Sequence, residues 1–297
     1  MSRQRVLIIH NPTSGRRRTD FMAAVVTALA DLGARVDIRV TEGPGHATKL
    51  AAEVAPDSQD CIVAAGGDGT VNEVLNGVAK LDEPLPLGVI PLGTANVLAL
   101  ETAYPKKPVD IAQVLFDGPT QTLYPGILKK GGNNERLFAL MAGIGLDARI
   151  VAGVSSPLKR LIGKGAYGIE TARQWLHAGL PDFDIDIDGQ PYKAGSVIIT
   201  NGKLYAGKFV VAPDADIAER GFKVLLLKGD RPNMLGNAIA MATNSLSRKA
   251  GVRVIDGQKI TISGPAGEPV QADGDLLGHL PITIDASKKP IWVITPN

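Results

Sequence analysis

The sequence predicts an open α/β domain followed by an antiparallel β-sandwich domain, and two patterns carry that prediction. Up to about residue 115, apolar strand-like runs alternate with stretches of helical spacing, the mark of βαβ units. Beyond it, short strands of alternating polarity are separated by Asp-Gly and Gly-Pro turns, as in an antiparallel β domain. The length agrees: 297 residues exceed what a single hydrophobic core usually serves.

Residues 5–10 (RVLIIH) form a continuous apolar run, expected of a parallel strand covered on both faces. Residues 21–32 have helical spacing and stop at Gly33, a C-cap residue type. A strand at 35–40, a helix at 46–54, a strand at 60–65, a helix at 71–79 and a strand at 86–90 follow. In the second half, strands are expected at 183–187, 197–200, 222–227 and 260–263. Their turns are Asp188-Gly189, Asp256-Gly257 and Gly264-Pro265. Helical insertions are expected at 164–177 and 234–246. The run 291–294 is a last strand whose domain its periodicity does not decide.

Composition narrows the class. Hydrophobic residues make up 44% and charged ones 21%, and the net charge is only +2, so no global pull toward nucleic acid is expected. The one cysteine, Cys61, excludes an intrachain disulfide and a CxxC metal site. No stretch approaches the roughly eighteen consecutive apolar residues of a spanning helix, so a cytoplasmic protein is expected. None of the four histidines pairs with Cys or Glu at metal-ligand spacing. Lys159, Arg160 and Lys164 flank Leu158, Leu161 and Ile162, which reads as a helix packed on its own domain or as a seat on an anionic bilayer.

The most informative stretch is Gly66-Gly67-Asp68-Gly69-Thr70-Val71-Asn72, set between a buried strand and a helix. Glycines there let the backbone turn tightly and approach a ligand, and the helix start that follows favours an anion such as a phosphate chain. A carboxylate in that place, Asp68, suits a phosphate only with a cation between them, and Mg²⁺ fits that description. Two more loops end strands at the same sheet edge: Pro91-Leu92-Gly93-Thr94-Ala95-Asn96, and Asn11-Pro12-Thr13-Ser14-Gly15 with Arg16, Arg17 and Arg18. The arginines there suit phosphate oxygens. Neither GxxxxGK[ST] nor a strand-linked GxGxxG is present. Plainer readings stand beside these: Asp68 as a helix cap, and Asp273-Gly274-Asp275 as a hairpin turn.

Together, Asn11-Pro12 with Ser14-Gly15, Gly66 to Thr70 with Asn72-Glu73-Val74, and Pro91 to Thr94 with Asn96 resemble the diacylglycerol kinase catalytic-domain family. The likeness is to its soluble bacterial lipid kinases, with sphingosine and ceramide kinases as relatives. Gly143-Ile144-Gly145-Leu146-Asp147-Ala148, Gly165-Ala166-Tyr167, Asn201-Gly202 through Ala212-Pro213 and Gln271 to Asp275 continue it in order. The resemblance implies an ATP-binding α/β domain at 1–124 with 288–297, a β-sandwich lipid domain at 125–287, and a cleft between them. It puts ATP contacts on Asn11, Thr41, Gly66, Gly67, Asp68, Gly69, Thr70, Val71, Asn72 and Thr94, with Asp68 at the Mg²⁺ of the nucleotide. The family's proton acceptor, a glutamate after Asp-Gly, falls on Asp275. Val97 stands where many members carry an aspartate, and Glu219, followed by Arg220, is the best match to a structural Mg²⁺ ligand of some members.

The resemblance thus implies an ATP- and Mg²⁺-dependent kinase acting on a membrane lipid, diacylglycerol first among candidates. A sphingoid base, ceramide, monoacylglycerol or phosphatidylglycerol stands beside it. Such an enzyme docks reversibly at the inner face of the membrane. GGDGT is shared with NAD kinases, which keeps that activity open, and the departures at Val97 and Asp275 keep a non-catalytic nucleotide-binding protein open. Oligomeric state leaves no trace in the sequence.

Overall fold

This computed structural model describes residues 2–14, 19–131, 135–153 and 181–296. The chain divides into two units: Met1–Leu123 with Lys289–Asn297, and Tyr124–Lys288. The expected helical insertion at 164–177, the basic-apolar run at 158–164, Gly165 to Tyr167 and the arginines at 16–18 lie outside the described residues.

The first unit is an α/β sheet. Strands β1 (Arg5–His10), β2 (Arg35–Val40), β3 (Cys61–Gly66) and β4 (Leu87–Pro91) alternate with helices α1 (Thr19–Asp31), α2 (His46–Ala52) and α3 (Asp68–Val78). Two more helices, α4 (Val97–Glu101) and α5 (Pro108–Asp117), lead to β5 (Thr120–Leu123). The sheet order is β2-β1-β3-β4-β20-β5, where β20 is the last strand, Ile291–Ile294. The pairs β1–β2, β1–β3, β3–β4 and β4–β20 are parallel, and β5 runs antiparallel to β20. α1 packs with α5 and α2 with α3, so helices cover both faces. That cover explains why Val6 to Ile9 and Cys61 to Ala65 are buried without alternation. The chain turns from β1 toward β2 on one side and toward β3 on the other. This topological switch point lies between β1 and β3.

The second unit is a sandwich of two antiparallel six-stranded sheets. Its strands are β6 (Gly126–Lys129), β7 (Glu135–Phe138), β8 (Met141–Ile144), β9 (Phe183–Ile187), β10 (Gln190–Ala194), β11 (Ser196–Thr200), β14 (Phe222–Leu227), β15 (Arg253–Gly257), β16 (Lys259–Ser263), β17 (Pro269–Ala272), β18 (Asp275–His279) and β19 (Ile282–Ala286). One sheet runs β10-β9-β16-β19-β6-β7 and the other β15-β14-β11-β8-β17-β18. Alternate residues fill the space between them, among them Phe138, Ile185, Val197, Ile199, Phe222, Val224, Ile260 and Ile284. Phe138 and Phe222 stack there with ring centroids 5.8 Å apart.

β11 and β14 are buried on both faces because their other residues serve a second core. Ile198, Leu225 and Leu227 pack against Val211, Ala215, Ala240 and Leu246. This smaller core lies beneath the hairpin β12 (Leu204–Tyr205) and β13 (Phe209–Val210), and the described residues of the unit also include helices α6 (Leu146–Gly153) and α7 (Arg231–Ala242).

The expected fold class, an α/β domain followed by a β-sandwich, is what the chain forms. Local bounds differ in places: the helix expected at 234–246 runs Arg231–Ala242. α3 begins at Asp68, three residues before the apolar spacing starts. Asp256-Gly257 is the end of β15 and not a turn, because the chain passes there from one sheet to the other. Among the described residues no helix is long and apolar enough to cross a membrane.

The double core makes a contrast that denaturation can measure. Phe138→Ala is expected to lower the unfolding free energy by about 3–5 kcal/mol, through lost burial and the cavity left behind. Val109→Ala, at a side chain 66% exposed, should change it by less than about 0.5 kcal/mol in the same circular-dichroism titration.

Candidate active site

Three turns leave adjacent parallel strands at one edge of the first unit's sheet: Asn11 after β1, Gly66-Gly67 after β3 and Leu92-Gly93 after β4. The turns are bonded to one another. The Asn11 N–H donates to the Ala65 carbonyl at 3.0 Å, and Asn11 Nδ2 donates to Thr70 Oγ1 at 3.1 Å. The N–H groups of Leu92 and Gly93 both donate to the Gly66 carbonyl, at 2.9 and 3.2 Å. Two backbones this close leave no room for side chains: a Cβ built on Gly93 would lie 2.4 Å from Gly67 Cα.

Asp68 locks the pair of loops. Its carboxylate accepts from the Asn96 N–H at 2.9 Å and from the Val97 N–H at 2.6 Å. Those amides open α4, so an anion there satisfies groups with no intrahelical partner. Asn96, in left-handed geometry at φ 52°, closes the turn by accepting from the Gly93 N–H and donating to the Gly93 carbonyl. Asp68 is thus a cap of α4, the helix after its own. Glu73 does the same for α2, accepting from the N–H groups of Gly45 and Ala47 at 2.8 and 3.1 Å.

The remaining candidates in this unit divide by depth. Gly66, Thr70, Val71 and Asn72 are buried, Gly67 and Gly69 are partly covered, and Thr94 is exposed. Thr41 is buried after β2, its N–H donating to the His10 carbonyl at 2.9 Å. Thr41 therefore stands at the same edge, one strand farther from the glycine turns.

In the second unit, Asp273 and Gly274 have φ of 47° and 86° and join β17 to β18 as a two-residue hairpin turn of the mirror-image type. The Asp273 carboxylate accepts three backbone N–H groups, from Ala139 at 2.5 Å, Leu140 at 3.0 Å and Met141 at 3.1 Å. It anchors the hairpin to the strand beside it. Asp275, first in β18, is half exposed, with the Arg136 guanidinium 3.9 Å away. Glu219 is exposed, on a turn where its N–H donates to the Asp216 carbonyl. Among the described residues no three His, Cys, Asp or Glu side chains converge as a metal cage would require.

A buried cluster supports the hairpin from below. The Asp147 carboxylate accepts from the Tyr205 hydroxyl and from Gln271 Nε2. Gln271 then accepts the Gly274 N–H on its Oε1 at 3.0 Å. Burial pushes the Asp147 carboxyl up to about 6, against the opposing effect of the Gln271 hydrogen bond. Sequence reasoning quoted Asp147 and Gln271 only as motif letters without a role, and gave Asp273 only its place in a hairpin turn, which the structure bears out. Their signal, an aspartate or glutamine beside a glycine turn, is too common to decode without the fold.

Residues 5–126 match the diacylglycerol kinase catalytic domain, and residues 141–295 match the YegS C-terminal NAD kinase beta sandwich-like domain. The second match spans more than half of the chain. The chain belongs to the family of that beta sandwich-like domain and carries a diacylglycerol kinase catalytic domain before it. A diacylglycerol kinase of Staphylococcus saprophyticus is 29% identical over 99% of this chain and 96% of its own length. One of Staphylococcus aureus is 29% identical over 99% and 93%. A crystal structure of a diacylglycerol kinase from Bacillus anthracis superposes with a TM-score of 0.79 at 25% identity, covering 99% of this chain and 98% of that one. A second structure from that organism, 24% identical and covering 99% and 96%, gives a TM-score of 0.84 and supports the fold.

Two predictions follow from these geometries. Asp273→Ala strands three backbone donors and should cost about 2–4 kcal/mol of stability, seen as an earlier urea transition. For Asp147, the folded pKa of about 6 lies above the ordinary 3.8. The folded state therefore holds the proton more tightly, and stability declines as pH rises through that window. Asp147→Asn removes the decline: its stability relative to the parent should rise by about 2–3 kcal/mol between about pH 4 and about pH 7.

Proposed function

We propose that this chain transfers the γ-phosphoryl group of ATP to a hydroxyl of a membrane lipid, diacylglycerol first among the candidates. The observation that carries the reading is the set of glycine turns at the switch point of the first sheet, bonded to one another and locked by Asp68. Such an edge offers backbone N–H groups and a helix start to a polyphosphate, at the place where open α/β sheets take ligands. The match to the kinase catalytic domain, and the names of the chain's relatives, support the choice of ATP and of a lipid acceptor.

In this reading Gly66, Gly67, Gly69 and the first turn of α3 cradle the phosphates, with Asn11, Thr70, Val71 and Asn72 shaping the floor and Thr41 and Thr94 at its margins. The donor set fits a Mg²⁺ carried by the nucleotide: a carboxylate oxygen that accepts an amide can also meet a metal or one of its waters, and Mg²⁺ needs only one or two carboxylates. When bound, the ion neutralises phosphate charge. Asp68 supplies the one acid there and keeps the two loops in register. Asp275 accepts the proton of the lipid hydroxyl as its oxygen bonds to the γ-phosphorus and the bond to the β-phosphate oxygen breaks, releasing ADP. A half-exposed carboxylate at the start of a strand, with the Arg136 guanidinium 3.9 Å away, can approach a substrate. Glu219 remains a proposed site for a second, structural Mg²⁺.

The test is labelled ATP with diacylglycerol in mixed micelles, and NAD as the rival acceptor. Lipid phosphorylation is expected, with Asp275→Asn lowering kcat by about 10²–10⁴ while circular dichroism stays unchanged, and Asp68→Ala abolishing turnover. Full activity in Asp275→Asn removes the proton-acceptor role. Phosphorylation of NAD alone, or no turnover with any lipid, removes the lipid-kinase reading.

A further inference from the structure

The surface helix α7 is built the wrong way round for a helix facing water. Its inward side buries Met234, Asn237 and Ala240, and Ala240 belongs to the smaller core of the second unit. Its outward side carries Pro232, Leu235, Ile239 and Ala242, spaced three, four and three apart on one stripe. Leu235 is 48% and Ile239 58% exposed, while an amide, Asn237, is buried. From residue 232 to 247 the sequence has no charged residue. A solvated helix face of this length ordinarily carries several.

Charge gathers at the ends of the stripe, and its sign is one-sided. Residues 228–250 hold Lys228, Arg231, Arg248 and Lys249 against a single acid, Asp230. Asp230 is engaged as the N-cap of α7, its carboxylate accepting from the Asn233 N–H at 2.9 Å. Lys228 and Arg248 are exposed. The Lys249 stem passes close to Gly236, and its ammonium donates to Asn233 Oδ1 at 3.3 Å. Beside the far end of α7, the hairpin β12–β13 offers Lys208 and Phe209, the latter 38% exposed. This hairpin is tied to the α7 end by the Val210 N–H donating to Asn244 Oδ1 at 2.7 Å.

We propose that the outer face of α7, with Leu235 and Ile239 at its centre and Phe209 at its margin, is the surface through which this protein seats on an anionic lipid bilayer. An apolar stripe between basic ends matches the two layers of a membrane surface, acyl chains below and negative headgroups around. A second copy of the chain is a poorer occupant. The stripe is one side chain wide, whereas a stable protein interface buries about 800 Å² on each partner, and the basic ends of two copies would repel. Preferring a bilayer to an unrelated protein rests on the lipid-kinase reading. The surface itself does not depend on that reading's catalytic residues.

The experiment measures binding of the full chain, without nucleotide, to sedimenting vesicles of phosphatidylcholine with and without phosphatidylglycerol. Binding is expected only to the anionic vesicles and should weaken several-fold as sodium chloride is raised. The double variant Leu235→Ser with Ile239→Ser should bind at least tenfold more weakly, keep its thermal midpoint, and keep turnover on a short-chain acceptor dissolved in detergent. Unchanged vesicle binding in that variant overturns the proposal. So does a fall in thermal midpoint, which assigns the stripe to packing within the chain, or a concentration-dependent dimer that the variant loses. If the parent chain phosphorylates no lipid yet shows the tenfold loss of binding, the kinase reading fails and the docking surface stands.

Discussion

The candidate site depends on carboxylates used as acceptors for backbone amides. Asp68 receives the two amides that open α4, Glu73 two at the start of α2, and Asp273 three at the strand beside its hairpin. Each joins a turn to a distant piece of backbone, and a charge-assisted bond to an amide is about twice as strong as a neutral one. Glycine turns bend in many ways. Here the acids select one of them, so that Gly67 and Gly93 meet at a separation that a side chain at position 93 would not allow.

This arrangement also explains what the sequence reveals and what it hides. Buried parallel strands declare themselves, because a strand covered on both faces must be apolar along its buried length, as in residues 6–9 and 61–65. Position after a strand and before a helix places the glycine loops at the sheet edge. The α3 start is hidden, since Asp68, Gly69 and Thr70 are poor helix formers held in place by tertiary contacts. The acceptor roles are hidden for a different reason. Asp273 meets residues 132 to 134 positions away, and its partners are backbone, which has no letter in the sequence. Asp275 could be placed by resemblance, while Gln271 and Asp147 beneath it could not be given work.

The two units divide the chemistry that the proposed reaction needs. In the proposed reaction, phosphate recognition would rely on backbone groups in the first unit, which tolerate sequence change as long as the glycines remain. The second unit supplies a rigid hairpin. Its turn residues are fixed by positive φ, its carboxylate by three amides, and its underside by the Tyr205–Asp147–Gln271 chain. Precision of this kind is costly to obtain from loops and easy to obtain from a strand end, because β18 inherits its register from β17. A proton acceptor there can be short, since the backbone sets most of its position.

Val97 shows the same logic from the opposite side. Its side chain is buried, and its own amide is one of the two held by Asp68. An aspartate at that position would bring a second negative charge beside the first, in a place water reaches poorly, and one of the two would have to gain a proton or a cation to stay. With valine there, Asp68 is the acid in direct contact with the opening of α4, and its charge is offset by the amides it accepts. The loop can therefore keep its shape before any nucleotide or metal arrives, so the proposed substrate meets a site already formed and does not have to assemble one.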